Sequence, residues 1–305
     1  MKKILLSTLF IMILIISCNK TQELDEKIKN NMNKVLITSV KSGNLAKSKS
    51  LIRKGADINA KDELGNSVLI KAVKGNYLSI VKYLVETEAN INASNKKGNT
   101  ALIEAIKKEY LDIVKYLIKH EAKVNISNKI GWTPLMWGVK NGNVKIVKYL
   151  IQNGANVNNK DNIGKTLLMM AFQEYTSKME IDFSRAEKYL KILKYLIENG
   201  ADINTKDEFG ETVLLKTAKK SQLGMVKYLI KNGANINAVD KWGKTPLIEA
   251  VRKGHLEIVK FLIDNKADPL IKDSSGKNAY QYAKNSNQDL LAKYLKIKMK
   301  KSTKK

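Results

Sequence analysis

Cysteine, histidine and arginine are scarce in this chain of 305 residues. It has one cysteine, Cys18, two histidines, His120 and His255, and three arginines among its 55 basic residues. A single cysteine excludes a disulfide within the chain, and without a cluster of Cys and His side chains a transition-metal site is not expected. A nucleophile–histidine triad is not expected either, because the sequence has no Gly-x-Ser-x-Gly elbow and its two histidines are far apart. We therefore predict that the protein is not an enzyme and binds no metal and no cofactor.

The shortage of arginine contrasts with a net charge of +26. A basic chain indicates a nucleic acid, an anionic membrane or an acidic protein as a partner. Arginine is suited to bidentate recognition of phosphates and base edges, whereas lysine acts as a point charge. Nucleic acid is therefore not the expected partner. The sequence leaves open whether the lysines serve binding or reflect an AT-rich genome, which would also enrich Lys, Asn and Ile.

A run long enough to span a membrane is also missing, because the apolar segment at residues 4–16 is only 13 residues long. It follows Lys2 and Lys3, and this order predicts a secretory signal peptide over residues 1–17. Residues 15–18 (Ile-Ile-Ser-Cys) look like a bacterial lipobox, a resemblance that implies lipidation of Cys18 as the mature N-terminus. The expected location is then the bacterial cell envelope, with the protein lipid-anchored and on the periplasmic or the surface face. The alternative is a plain signal peptide followed by an incidental cysteine.

Glycine recurs with a fixed period. Seven glycines are separated by 33 residues, except for one spacing of 46: Gly65, Gly98, Gly131, Gly164, Gly210, Gly243 and Gly276. Three residues before each of them stands an Asp or Asn: Asp62, Asn95, Asn128, Asp161, Asp207, Asp240 and Asp273. Short polar side chains bond the local backbone and glycine tolerates positive φ, so each site predicts a turn. A period of this size predicts a stacked repeat architecture.

Between the turns the apolar pattern is helical. In the fourth unit, Thr133 and Pro134 are typical of the N-cap and the first helical position, and Gly142 ends that helix. Residues 144–151 predict a second helix with apolar side chains at i, i+3 and i+4, which Gly154 terminates. The pattern predicts an all-α repeat solenoid of helix-turn-helix units joined by short β-hairpin-like turns.

These motifs resemble the ankyrin repeat. The resemblance is carried by residues 240–247 (DKWGKTPL) with 254–259 (GHLEIV), and by Gly-Ala-Asp/Asn-Ile-Asn segments at residues 55–59, 200–204 and 233–237. It implies about eight units over residues 31–296, of which the first and last are degenerate caps with a polar outer face. Residues 18–30 are then a tether, and residues 297–305 a basic tail. Met136 and Ile248 replace the histidine that usually follows Thr-Pro-Leu, so we expect less rigid turns.

The 46-residue spacing contains 13 extra residues near positions 174–188. Apolar residues continue through it at helical steps, with Tyr175, Met179, Phe183, Ala186 and Leu190. We therefore predict that the insertion lengthens two helices. Whether it packs only on itself or protrudes to bind a partner stays open.

The resemblance also implies a concave recognition surface, formed by the hairpin tips and the exposed side of each first helix. The positions that it assigns to partner binding flank the turn glycines or lie one turn into the helix: Leu64, Lys97, Ile130, Trp132, Trp137, Lys140, Ile163, Met170, Phe209, Trp242, Lys244 and Arg252. All three tryptophans are among them, and aromatic anchors mixed with basic residues are typical of a recognition surface. The alternative is that these rings cover neighbouring hairpins and contact nothing else.

The function predicted from the sequence is a lipid-anchored, non-catalytic scaffold that binds an unidentified protein partner through this concave surface. No oligomer is expected, and the protein is expected to associate with the membrane through the lipidated Cys18. The alternative function is binding of a polyanion or of anionic membrane headgroups by the lysine-rich surface. Polyanion binding should weaken steeply with salt, whereas binding through buried tryptophans should persist.

Overall fold

The computed structural model describes residues 24–179 and 181–302, and this part of the chain contains sixteen helices. The predicted signal peptide and Cys18 lie outside the described residues. The helices are α1 (24–41), α2 (Leu45–Arg53), α3 (Val68–Lys74), α4 (Leu78–Glu86), α5 (Ala101–Lys107), α6 (Leu111–Lys119), α7 (Pro134–Asn141), α8 (Val144–Gln152), α9 (Leu167–Met179), α10 (Phe183–Glu198), α11 (Val213–Lys219), α12 (Leu223–Lys231), α13 (Pro246–Arg252), α14 (Leu256–Asp264), α15 (Ala279–Asn285) and α16 (Asp289–Ser302). They follow one another as eight first-and-second helix pairs, which confirms the predicted all-α repeat fold. Helix α1 begins within the segment predicted as a tether, and α16 continues into the predicted basic tail.

Each first helix from α3 to α13 begins at a capping hydroxyl. The side-chain oxygen accepts a hydrogen bond from the backbone N–H three residues later, at 3.1–3.3 Å. The capping residues are Ser67, Thr100, Thr133, Thr166, Thr212 and Thr245. A capping side chain satisfies one of the backbone N–H groups that a helix start leaves without a partner. The starts of these helices therefore have the same spacing along the chain as the turn glycines.

The predicted turns are present at all seven Asp or Asn positions. In the first of them, Asp62 Oδ1 accepts hydrogen bonds from the backbone N–H groups of Leu64 and Asn66, at 3.0 and 2.8 Å. Gly65 has φ +74°, a conformation that costs glycine little. Three of the turns close as isolated antiparallel bridges, which join residues 61 and 67, 94 and 100, and 160 and 166. The β-hairpin-like turns are therefore confirmed.

A second set of asparagines joins neighbouring repeats on the Gly-Ala-Asp/Asn-Ile-Asn segments. Asn59 Oδ1 accepts a hydrogen bond from the backbone N–H of Asn90 at 2.8 Å, and Asn204 Oδ1 accepts one from Asn235 at 2.7 Å. The donor lies 31 residues further along the chain in each case. The motif therefore satisfies a backbone donor of the next repeat.

The described residues fall into two compact units. The first comprises the chain up to Asn141 with residues 152–155, and the second comprises Gly142–Ile151 with the residues from Asn156 onward. In the first unit α5 packs between α3 and α7, and α4 packs on α6. In the second unit α13 packs between α11 and α15, and α12 packs on α14. Apolar side chains of both helices in each pair form the core, among them Leu150, which is fully buried.

The insertion lengthens α9 and α10, as predicted. They have 13 and 16 residues, whereas the other helices from α2 to α15 have seven to nine, and α9 and α10 pack against each other. Ala186 is buried, but Phe183 is largely exposed. Only some of the apolar residues predicted to continue through the insertion therefore belong to the core. The buried residue one turn beyond Ala186 is Tyr189.

None of the helices in the described part of the chain combines the length and the apolar character needed to cross a membrane.

Candidate functional site

The hairpin tips lie side by side within each unit. In the first unit, Lys96 N–H donates to the Leu64 carbonyl at 3.0 Å, and Lys129 N–H donates to the Lys97 carbonyl at 3.1 Å. In the second unit, Lys241 N–H donates to the Phe209 carbonyl at 3.0 Å. In each unit, we call the surface of the tips and the adjoining exposed sides of the first helices the tip face of that unit. In the first unit it comprises residues 62–66, 95–99 and 128–132 with the outer residues of α3, α5 and α7. In the second unit it comprises residues 161–165, 207–211, 240–244 and 273–277 with the outer residues of α9, α11 and α13.

Most of the apolar residues predicted to bind a partner are exposed on the tip face. Ile163 is 77% exposed, Phe209 48% and Trp242 46%, and Leu64 and Ile130 are each more than half exposed. Apolar side chains of this size are seldom left exposed in groups on a soluble protein without a binding role. Met170 was predicted to be a contact position, and that is wrong. It is buried, because its position on α9 faces the core.

Trp132 and Trp137 form a half-buried pair in the first unit. Their ring centroids are 4.7 Å apart with the planes inclined at 59°, and Lys107 Nζ lies 4.8 Å from the centroid of the Trp137 ring. Among the described residues, no hydrogen-bond acceptor meets the buried Nε1 of Trp137. These rings are therefore partly used in packing, and truncating them would remove packing as well as exposed surface.

Phe209 and Trp242 form the exposed aromatic pair of the second unit. Their centroids are 6.3 Å apart and the rings are close to parallel, at 17°. Lys244 Nζ lies 5.6 Å from the Trp242 centroid, and Arg252 Cζ lies 5.6 Å from the Tyr282 centroid. Rigid rings held by neighbouring cations are suited to anchoring a partner, because they lose little entropy on binding.

Buried carboxylates neutralise part of the predicted basic surface. Glu104 is 4% exposed, and its carboxylate lies 3.7 Å from Lys107 Nζ. Glu249 is 1% exposed, and its carboxylate lies 2.8 Å from Arg252 Nη1 and 4.0 Å from Lys244 Nζ. The prediction from the sequence included Lys244 and Arg252 but not these acids. Glutamate recurs in the helices that begin at residues 101 and 246, in Leu-Ile-Glu-Ala, and that repeat was the available signal. Lys97 and Lys140, by contrast, are exposed.

A cavity of about 410 Å³ lies on the tip face of the second unit. Its apolar lining comes from Ile163, Met169, Phe172 and Phe209, and its polar lining includes Gln173, Thr176, Asp207, Glu211, Lys216 and Lys219. Thr176 belongs to the part of α9 that the insertion adds. The cavity has the size and the mixed apolar and polar lining of binding pockets in general.

An ion-pair network forms the polar wall of this cavity. Lys216 Nζ lies 2.6 Å from Asp207 Oδ2 and 2.9 Å from Glu211 Oε2, and Lys219 pairs with Glu211. Burial opposes ionisation of both acids, but hydrogen bonds and the lysine charges outweigh it, so the pKa of Asp207 and of Glu211 is lowered. Burial alone would lower the pKa of Lys216, yet its two carboxylate partners raise it. The wall therefore stays charged and ordered around neutral pH.

The second helices carry a repeated lysine–aromatic contact that the sequence interpretation missed. Lys49 lies 4.9 Å from the ring centroid of Tyr83 in the first unit, and Lys194 lies 5.3 Å from that of Tyr228 in the second. In each case the ring belongs to the repeat that follows. The dipeptide Lys-Tyr recurs in the second helices, and this recurrence was the available signal. These lysines therefore serve packing between repeats as well as surface charge.

No cation site is apparent from side-chain clusters in the described part of the chain, since no group of three or more His, Cys, Asp or Glu residues is placed to hold a metal ion. His255 has a structural contact, because its Nε2 lies 3.1 Å from the carbonyl oxygen of Lys219.

The family model described as ankyrin repeats (three copies) matches residues 36–128, 123–180 and 183–273. No curated protein matches the chain.

Proposed function

Because the chain belongs to the ankyrin repeat family, whose repeats generally mediate protein–protein interaction, we propose that it is a non-catalytic scaffold that binds a partner protein through its tip face. The observation that carries the proposal is the exposed Phe209–Trp242 pair beside the cavity lined by Ile163 and Phe172. An apolar side chain of the partner would enter this cavity, and the two rings would pack against the chain that flanks it. Such a central aromatic cluster beside a pocket is the usual anchor of a protein interface.

The charges around the cavity support a protein partner in preference to a polyanion. Three acids, Asp207, Glu208 and Glu211, lie among its lysines, and Lys216 and Lys219 are already paired with carboxylates. A polyanion would have to compete with these acids. An apolar anchor with mixed polar neighbours fits the same surface without that competition.

Site-specific photocrosslinking tests the proposed face. A photoreactive phenylalanine analogue at position 209 or 242, in the producing cells, should form a discrete adduct with one protein. The same analogue at Lys145, an exposed position on α8, should form none.

Affinity for the crosslinked partner then tests the anchor role of the rings. Phe209→Ala and Trp242→Ala should each weaken binding by roughly 30-fold, which corresponds to about 2 kcal/mol, with little loss of helicity. Binding should persist in high salt. Binding that falls steeply with salt and ignores both truncations would contradict the proposal and favour a polyanion ligand.

We further propose that the protein is a lipoprotein of the bacterial cell envelope, anchored through Cys18. The support is the order of basic residues, apolar segment, Ser17 and Cys18 at the start of the chain. Acyl chains on Cys18 would attach the protein to a membrane without a spanning helix.

Replacing the modified residue tests this anchor. Cys18→Ala should leave the protein unlabelled by a radioactive or clickable fatty acid. The variant should then be either in the aqueous phase or unprocessed, with residues 1–17 still attached. Ser17→Ala, which keeps a small residue before Cys18, is the matched control and should remain labelled. Equal labelling of wild type and Cys18→Ala would rule out lipidation at this site.

A further inference from the structure

The last helix, α16, has an outer side that the fold does not use. Leu291, Ala292 and Leu295 are buried, and α16 packs against α15. On the opposite side, Leu290 is 85% exposed and Ile297 51% exposed. These two residues are seven positions apart and therefore share one stripe of the helix, two turns from each other.

Lysine dominates the charge of this outer side, which also carries the exposed Asp289 in the first turn of α16. Lys293 and Lys296 are exposed there, and within the described residues neither has an ion-pair or hydrogen-bond partner. Lys298 is placed differently, because its Nζ lies 3.0 Å from Asp264 Oδ1. The only acid in α16 is Asp289, at its first turn, where it is favourable to the helix dipole.

Exposed apolar residues set this helix apart from an ordinary capping helix. The outer helix of a capping repeat has a polar exposed side, because that side faces water instead of another repeat. Lysines alone would make the outer side of α16 polar, whereas Leu290 and Ile297 add exposed apolar surface to it. An apolar stripe flanked by lysines is instead the pattern of a helix that lies in the interface of an anionic membrane.

We infer that the outer side of α16 is a contact surface for an anionic lipid bilayer, with Leu290 and Ile297 entering the interface and Lys293 and Lys296 meeting the headgroups. A soluble polyanion would give the two apolar residues no role. A second copy of the chain would bring mostly lysines to face these lysines, because Asp289 is the only acid in α16. The inference does not depend on the tip face or on Cys18, because it concerns a separate surface.

Vesicle binding by the unanchored protein tests the inference. Residues 19–305 retain every described residue and lack both the apolar leader and Cys18. They should bind vesicles of phosphatidylcholine and phosphatidylglycerol at least about tenfold more tightly than vesicles of phosphatidylcholine alone, and salt should weaken this binding. No preference for the anionic vesicles would overturn the inference.

Paired substitutions then test the surface itself. Lys293→Glu with Lys296→Glu should weaken binding by about tenfold or more, and Leu290→Gln with Ile297→Gln should weaken it several-fold at roughly unchanged helicity. The control is Lys231→Glu with Lys266→Glu, which changes the net charge equally at exposed positions, and it should bind nearly as wild type. Glu is suited to position 266, because Glu88 and Glu121 adopt the same positive-φ turn conformation.

Three results would overturn the inference. An equal loss in the control would indicate diffuse attraction by the whole basic protein. Indifference to Leu290→Gln with Ile297→Gln, combined with equal binding of heparin, would indicate a soluble polyanion. Dimerisation in the absence of vesicles that the same two changes abolish would indicate a second copy of the chain.

Discussion

At the residue scale, the turn position three residues before each glycine accepts either aspartate or asparagine. Asn95 Oδ1 accepts hydrogen bonds from two backbone N–H groups in the same way as Asp62 Oδ1 does. Only aspartate adds a charge, and Asp62 uses it in an ion pair with Lys71 at 2.7 Å. Burial opposes ionisation of Asp62, but hydrogen bonds from Asn66 and Lys71 outweigh it and lower its pKa from 3.8 to about 2. The turn is therefore also a site at which acid destabilises the fold.

Acid should destabilise the protein partly through Asp62. Since its folded-state pKa is lowered, its contribution is present above the unfolded pKa and is lost as the pH falls from about 4 to about 2. The contribution is at most about 2 kcal/mol. Asp62→Asn should keep the turn, lose the ion pair at neutral pH, and lose less stability than wild type between pH 7 and pH 3.

Urea unfolding of both proteins at the two pH values measures this difference. Asp273, whose pKa is also lowered to about 2, remains in both proteins and keeps some acid sensitivity. Identical acid sensitivity of wild type and Asp62→Asn would contradict the role given to Asp62.

At the element scale, helix starts are specified locally and helix lengths follow from the distance to the next turn. Thr100 and Thr212 stand directly before α5 and α11 and cap them, and each helix ends within eight residues of its cap. The 13-residue insertion changes lengths without changing caps, because Thr166 still begins α9. Extra residues with a helical apolar pattern are therefore added as further turns of α9 and α10.

Removing one cap should destabilise its repeat measurably. Thr100→Ala leaves the Ile103 N–H without its side-chain acceptor in a buried place, so we expect a loss of about 1 kcal/mol. Thr100→Ser should restore most of it, because Ser67 caps α3 in the same way. Thermal or denaturant unfolding measures the differences.

An exposed hydroxyl provides the matched control for that change. Ser177→Ala removes a hydroxyl from the last turn of α9 that bonds only the Glu174 carbonyl within its own helix. It should be neutral or slightly stabilising, since alanine favours a helix interior over serine. A loss at Ser177 as large as that at Thr100 would refute a specific capping effect.

At the scale of the whole molecule, stability in such an array arises between nearest neighbours. The main segment of the first unit ends at Asn141, just before α8, and residues 152–155 also belong to this unit, so the border of the two units lies within the fourth repeat. Leu150 lies on α8 and is fully buried, as the apolar pattern predicted. A defect there should weaken the coupling between the two ends of the array.

Truncation of Leu150 should therefore change the shape of the unfolding transition. Leu150→Ala should cost roughly 2–5 kcal/mol, and denaturant unfolding should broaden or split into two steps. Lys145→Ala, at an exposed position on the same helix, should leave a single transition near that of wild type. A sharp transition with an unchanged midpoint for Leu150→Ala would contradict both its burial and the coupling.

The sequence by itself determined the repeat register, the turns, the capped helix start of the fourth unit and the apolar side of α8, but not that of α9, where Met170 is buried. These features follow from residues within one repeat: Thr100 caps its own helix, Asp62 closes its own turn, and the spacing of apolar residues selects Leu150 for the core. It also predicted the exposure of Phe209 and Trp242. Short-range chemistry repeated at a 33-residue period is therefore sufficient to specify the family and the fold.

Only the tertiary structure decided how the tip face is shared between packing and recognition. In the folded chain, Trp132 and Trp137 are half-buried against each other, and the buried Glu249 forms an ion pair with Arg252. A cavity lies between Ile163, Phe209 and the lengthened α9. The physical reason is that a tip residue is covered or left open by the neighbouring repeat, so its exposure depends on side chains about 33 residues away. Likewise, the apolar stripe on α16 is exposed because no described residue packs over Leu290 and Ile297.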